Sequence, residues 1–117
     1  MRRLSAIFLL FSLGAQAAGI NQTVALQTLN DPNALLIDVR TLDEFAEGAL
    51  PGAQRIGHEQ IAEQIGGLTL DKDRPIVLYC RSGRRSDIAQ DRLIQLGYRQ
   101  VINAGGYDDL KAALAQH

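Results

Sequence analysis

Two apolar runs constrain this chain more than anything else in it. ALLIDV (Ala34–Val39) and IVLY (Ile76–Tyr79) are continuous rather than alternating, and each ends in polar or charged residues. A strand with one face in water alternates. A continuous run reads as a strand buried on both faces, the pattern of parallel sheets covered by helices. Stretches with helical spacing and helix signals surround these runs. Val24–Leu29 has Asn21 or Thr23 available as cap. In TLDEFAEG, Thr41 with Glu44 three residues on forms a capping box, and Gly48 closes the helix. Pro51–Gly52 turns into a short strand at Gln54–Ile56. Glu59–Ile65 carries Ile61, Ala62 and Ile65 at helical spacing and stops at Gly66–Gly67. Ser86 reads as an N-cap with Asp87 in the first turn, followed by an apolar face of Ile88, Ala89, Leu93 and Leu96 that ends at Gly97. Gln100–Asn103 reads as a strand, and Gly105–Gly106 opens a last helix, Tyr107–Ala115. At 117 residues this predicts one α/β domain, with a mostly parallel central sheet and helices on both faces. Ligands in such sheets bind at the carboxyl ends of the strands.

Residues 1–17 stand apart. MRR is a basic n-region, Leu4–Leu13 an apolar run, and AQA (Ala15–Ala17) a small-x-small cleavage site. The pattern is that of a secretory signal peptide cleaved after Ala17, which places the mature protein in the periplasm. The apolar run is about half the ~20 residues a membrane span needs, the alternative being a retained anchor. Removing Arg2 and Arg3 leaves 10 basic residues against 13 acidic ones, a net charge near −3. That balance argues against nucleic acid as a partner.

Cys80 is the only cysteine, so no intrachain disulfide is possible. An unpaired thiol in an oxidising compartment needs either burial or a use. Cys80 follows the IVLY strand and precedes a helix start, with Arg81, Arg84 and Arg85 close behind. If residues 81–85 curl around it, unpaired backbone N–H groups, the helix dipole and the arginines all favour thiolate. The same donors hold a dianion, so the loop would supply a nucleophile and an anion cradle together. The competing reading is a cysteine that fills core space beside a solvated basic patch. His58 and His117 form no nucleophile–base pair with it, no cluster has metal-ligand spacing, and the Gly-Gly pairs lack a nucleotide fingerprint. No cofactor is expected. A cysteine without a partner base suits attack on the outer sulfur of thiosulfate, whose leaving group, sulfite, is stable as an anion.

Three segments in order resemble the rhodanese-like domain family: LIDVRTLDEFAEGALPGAQRI, then YCRSGRRS, then LGYRQVINAGGYDDL. The resemblance covers residues 18–117 and is most similar to the small periplasmic single-domain sulfurtransferases of the phage shock protein E type. Two positions depart from the family pattern: Gly48–Ala49–Leu50 stands where Gly-His-Ile is frequent, and Leu110 where a tryptophan is usual. The resemblance implies a thiosulfate sulfurtransferase working by a ping-pong mechanism. Cys80 would carry the persulfide, and Arg81, Ser82, Gly83, Arg84, Arg85 and Ser86 would form the substrate-binding loop. Arg81 and Arg84 would attract thiosulfate, and Ser86 would cap the following helix. Asp38 and Arg40 would be structural. The partners implied are a small sulfur donor and a thiophilic acceptor, which could be a protein thiol. A Cys-x5-Arg phosphatase or arsenate reductase is a weaker alternative, because the position six after Cys80 is Ser86. A non-enzymatic persulfide carrier or thiol sensor would use the same cysteine.

Overall fold

A computed structural model describes residues 19–116, so the expected leader and His117 lie outside the described residues. Four strands form one sheet in the order β2–β1–β3–β4, every neighbouring pair parallel. They are β1 (Leu35–Asp38), β2 (Gln54–Arg55), β3 (Ile76–Cys80) and β4 (Val101–Gly106). The helices are α1 (Gln22–Thr28), α2 (Leu42–Glu47), α3 (Ile61–Gln64), α4 (Arg84–Gln95) and α5 (Tyr107–Leu114), with a 3-10 turn at Ile65–Gly67.

The two apolar runs occupy the centre of the sheet, and every residue of β1 and β3 is buried. Their side chains divide between two cores. Leu35, Ile37, Ile76, Leu78 and Cys80 pack on one face with Ile61 of α3, Ile65 of the 3-10 turn, Ala89 and Leu93 of α4, and Tyr98. Leu36, Val77 and Tyr79 pack on the other face with Ala25 of α1, Leu50 and Leu110 of α5. Helices therefore cover both faces, as the continuous runs require. Leu110 is fully buried.

The local signals hold to different degrees. Asn21 caps α1, its Oδ1 accepting from Val24 N at 3.1 Å. The Thr41–Glu44 capping box is present in full. Ser86 does not cap α4: the helix starts at Arg84, and its N-cap is Gly83 in the left-handed region, φ +98°. The chain turns three residues earlier than the side-chain signal suggests, because Gly83 makes that turn without strain. The buried face of α4 is Ser86, Ala89, Gln90 and Leu93, whereas Ile88 and Leu96 are exposed, as is Ala62 in α3. Gly105 and Gly106 close β4 rather than opening α5.

One buried ion pair ties β1 to its surroundings. Asp38 is fully buried. Its carboxylate accepts from Arg40 N and Nε through Oδ1 at 2.9 and 3.0 Å and from Arg40 Nη2 through Oδ2 at 2.6 Å. Arg40 Nη2 also donates to the Gly48 carbonyl at 2.7 Å. Its guanidinium lies 4.2 Å from the Tyr107 ring centre and 5.5 Å from that of Tyr79. The hydrogen bond to Asp38 holds the Arg40 pKa above its ordinary value. Truncating Arg40 leaves a carboxylate buried without its partner, a change that costs about 3–5 kcal/mol. Arg40→Ala should lower the unfolding free energy extrapolated from urea titrations by that much, whereas Leu42→Ala, at an exposed position, should change it far less.

Candidate active site

The end of β3 and the start of α4 are three residues apart, and that short connection builds the site. Cys80 Sγ lies beneath it, fully buried, and accepts from Gly83 N at 2.9 Å and from Ser86 N at 3.4 Å. The Ser86 hydroxyl lies 3.4 Å from the same sulfur. Burial pushes the Cys80 thiol pKa up. The hydrogen bonds from the Ser86 hydroxyl and from the backbone of Ser86, Ser82 and Gly83 outweigh it, so the net shift is downward. The cysteine is thus buried as a core residue would be, yet surrounded by donors that favour its anion.

Two close contacts hold the loop in this shape. A Cβ built on Gly83 would lie 2.5 Å from Ile20 Cδ1 and 3.3 Å from Gly105 Cα. A Cβ built on Gly106 would lie 2.6 Å from the Arg81 carbonyl oxygen, a backbone atom that cannot swing aside. Only glycine allows the loop and the end of β4 to touch in this way.

The three arginines have three different settings. Arg81 is exposed, with 79% of its side-chain surface accessible, and stands 3.9 Å from Glu44. It lines a cleft of about 320 Å³ together with Arg40, Glu44, Glu47, Tyr107 and Asp108. Arg84 is exposed. Arg85 is half-buried and pairs with Glu44, its Nη1 and Nη2 donating to Oε1 and Oε2 at 2.8 and 3.2 Å. Ser82 is exposed and Gly83 buried. His58 lines a separate cleft of about 180 Å³ with Arg55 and Arg85. Among the described residues no group of three or more His, Cys, Asp or Glu could hold a metal ion.

Sequence reasoning missed two participants. Glu44 was read only as half of a capping box, yet its carboxylate also anchors Arg85. Asn103 was read as an ordinary strand residue. It is fully buried, and its side chain reaches both the loop and Ser86. A polar side chain inside the apolar segment VINA, next to Gly-Gly, was the available signal.

Most of this chain is shared with known proteins. Residues 21–113 match the family model described as rhodanese-like domain. A sulfurtransferase of Allochromatium vinosum is 35% identical over 86 residues, 74% of this chain and 78% of that protein. The thiosulfate sulfurtransferase PspE of Escherichia coli K12 is 35% identical over 74 residues, 63% of this chain and 71% of that one. A solved structure of a rhodanese with anions from E. coli superposes with a TM-score of 0.63 at 34% identity, covering 65% of this chain and 89% of that chain.

The Glu44–Arg85 pair has a defined pH signature. The hydrogen bond from Arg85, against a smaller opposing effect of burial, lowers the Glu44 pKa from 4.5 to about 2. A depressed carboxylate pKa stabilises the fold above the unfolded-state value and stops doing so as pH falls through the folded one. With Glu44 partly exposed, the contribution should be about 1 kcal/mol. Urea midpoints of Glu44→Gln should therefore lie below the unsubstituted protein at neutral pH. The gap should close between pH 4.5 and about 2.

Proposed function

This chain belongs to the rhodanese-like family of sulfurtransferases, and we propose that it moves sulfane sulfur from thiosulfate to a thiophilic acceptor through a persulfide on Cys80. The observation that carries the proposal is the set of donors on the Cys80 sulfur, Gly83 N and Ser86 N, within a loop closed between β3 and α4. The Cys80 thiolate attacks the outer sulfur of thiosulfate. A new S–S bond forms, the S–S bond of thiosulfate breaks, and its electron pair leaves on sulfite. Total charge is conserved, one negative charge passing to the terminal sulfur of the persulfide. In the second half-reaction an acceptor such as cyanide or a thiolate attacks that terminal sulfur and returns the Cys80 thiolate. Neither step needs a general base once the thiolate is formed.

The loop supports this chemistry by electrostatics. Backbone donors stabilise the anion at the resting sulfur and at the persulfide. Arg81, exposed on the rim, is the group we assign to drawing in the dianionic donor. Arg84 adds charge further out, and Arg85 acts through its bond to Glu44, holding the start of α4. Phosphate transfer fits less well. That chemistry needs an arginine fork clamping a tetrahedral oxyanion, whereas Ser86 stands six positions after Cys80 and Arg85 is engaged by Glu44.

The periplasm is the compartment we propose, on the strength of the MRR n-region, the Leu4–Leu13 run and AQA at Ala15–Ala17. The family match beginning at residue 21 is compatible with a leader that ends at Ala17.

Mass spectrometry after thiosulfate treatment tests the reaction directly. The protein should gain one sulfur on Cys80, removable by cyanide, and the same spectrum reads the mature N-terminus. Cys80→Ser should take up no sulfur and lose all thiosulfate:cyanide activity with its thermal unfolding preserved; activity retained in that variant would overturn the proposal. Arg81→Ala should raise the apparent KM for thiosulfate several-fold, about 1 kcal/mol of donor binding, with a smaller effect on kcat.

A further inference from the structure

The larger of the two clefts beside the loop has a chemical character of its own. Its lining comes from the carboxyl ends of three adjacent strands: Arg40 two residues after β1, Arg81 next to Cys80 at the end of β3, and Tyr107 and Asp108 directly after β4. That is where a parallel sheet places its ligands. α2 closes the cleft with Glu44, Glu47 and Gly48, and the enclosed space is about 320 Å³. Small-molecule sites span roughly 300–1,000 Å³, so this one suits a small ligand.

Charge here comes in both signs. Arg85 takes the Glu44 carboxylate, and Asp38 takes Nε and Nη2 of Arg40. Arg40 Nη1 has no hydrogen-bond partner among the described residues. No buried side-chain nitrogen among them lacks one, so Nη1 reaches open space although its side chain is only 7% exposed. Arg81 stands on the rim with nothing closer than the 3.9 Å approach to Glu44. On the acidic side, Glu47 and Asp108 are exposed, and neither forms an ion pair among the described residues. Lys111 lies over the Tyr107 ring at 5.6 Å but does not line the cleft. Glu47 ends α2, where the helix dipole disfavours an acid, so the helix does not account for it. Nor does the sulfur donor, since both acids repel a dianion.

We propose that this cleft is the acceptor subsite and that it takes a zwitterionic amino thiol, with Glu47 and Asp108 facing the ammonium and Arg81 and the free edge of Arg40 facing the carboxylate. The inference rests on the sulfurtransferase reading of Cys80. Arg81 serves both half-reactions, because sulfite leaves before the acceptor enters. The acceptor thiolate attacks the terminal sulfur of the persulfide. An S–S bond forms to the acceptor, the bond to Cys80 Sγ breaks, and its electron pair stays on Cys80 as the thiolate. The acceptor leaves as its own persulfide, and total charge is unchanged.

The test starts from protein loaded with sulfur by thiosulfate and freed of excess donor. Mass spectrometry follows the loss of that sulfur to free cysteine and, separately, to 2-mercaptoethanol. Each thiolate carries one net negative charge, so the field of the protein as a whole acts on both alike. Only a site that holds the ammonium and the carboxylate separately tells them apart. Taking the ratio of the two rate constants cancels any change in the reactivity of the persulfide itself. That ratio should fall about five-fold in the Glu47→Gln/Asp108→Asn double variant, and by a similar factor in Arg81→Ala. All three positions are exposed, so the fold tolerates these changes. A ratio that stays the same in either variant would overturn the acceptor subsite while leaving the sulfurtransferase reading in place. Failure of thiosulfate to load sulfur onto the unsubstituted protein would bring down that reading, and the subsite with it.

Discussion

The loop over Cys80 exists because two stretches of backbone touch. Gly106, the last residue of β4, lies so close to the Arg81 carbonyl that no side chain fits between them. The register of β3 against β4 shifts just there: Leu78 faces Asn103, yet Cys80 faces Gly106. The end of β4 is thereby carried under the loop, and Asn103 and Gly105 arrive within reach of Gly83 and Ser86. Remove the contact and the loop has no floor; the amides would have no reason to converge on one sulfur. The geometry of the donors around Cys80 is a property of the β3–β4 interface as much as of the loop's own residues.

Charge is handled locally rather than by the whole molecule. The chain carries a formal net charge of −1, and four charges near the site form two close pairs: Asp38 with Arg40, Glu44 with Arg85. Pairing lets the molecule hold guanidinium groups beside a thiolate without presenting a large basic surface. It also leaves Arg81 distinct, since its 3.9 Å approach to Glu44 at 79% exposure is a weak tether in water. Beneath these pairs, the Ser86 hydroxyl and uncharged N–H dipoles lower the thiol pKa against the burial that raises it. Dipoles fixed by the fold keep their orientation when the sulfur changes charge, whereas mobile side chains would have to reorganise.

The order of elements and the two-sided burial of β1 and β3 were legible in the sequence, because hydrophobic continuity and capping signals are local. ALLIDV and IVLY could be placed without knowing their neighbours, and the Thr41–Glu44 box is complete within four residues. The family resemblance was legible for the same reason, as three ordered motifs. What escaped was decided by long-range contacts. Ser86 looks like a helix cap to any local rule. It is not one, because Gly83, pressed against Gly105 and Ile20, starts the helix earlier and releases the serine for Asn103. The setting of Arg85 depended on Glu44, 41 positions away. A single strand asparagine gives no hint of its partners until β4 is laid beside the loop.

Ile20 offers a last consequence. It forms a bridge with Asn103, the next residue's amide donates to the Asn103 carbonyl at 2.8 Å, and its side chain covers Gly83 and Gly105. An exposed residue ahead of the first helix therefore acts as the outer wall of the turn at Gly83. Anything joined to the chain just before it, a tether or a bulky fusion, pulls on the same few atoms that aim the Gly83 amide at sulfur. The lead-in to the fold and the reactive loop are mechanically one piece, so the stiffness of the sulfur's surroundings is set partly from outside the sheet.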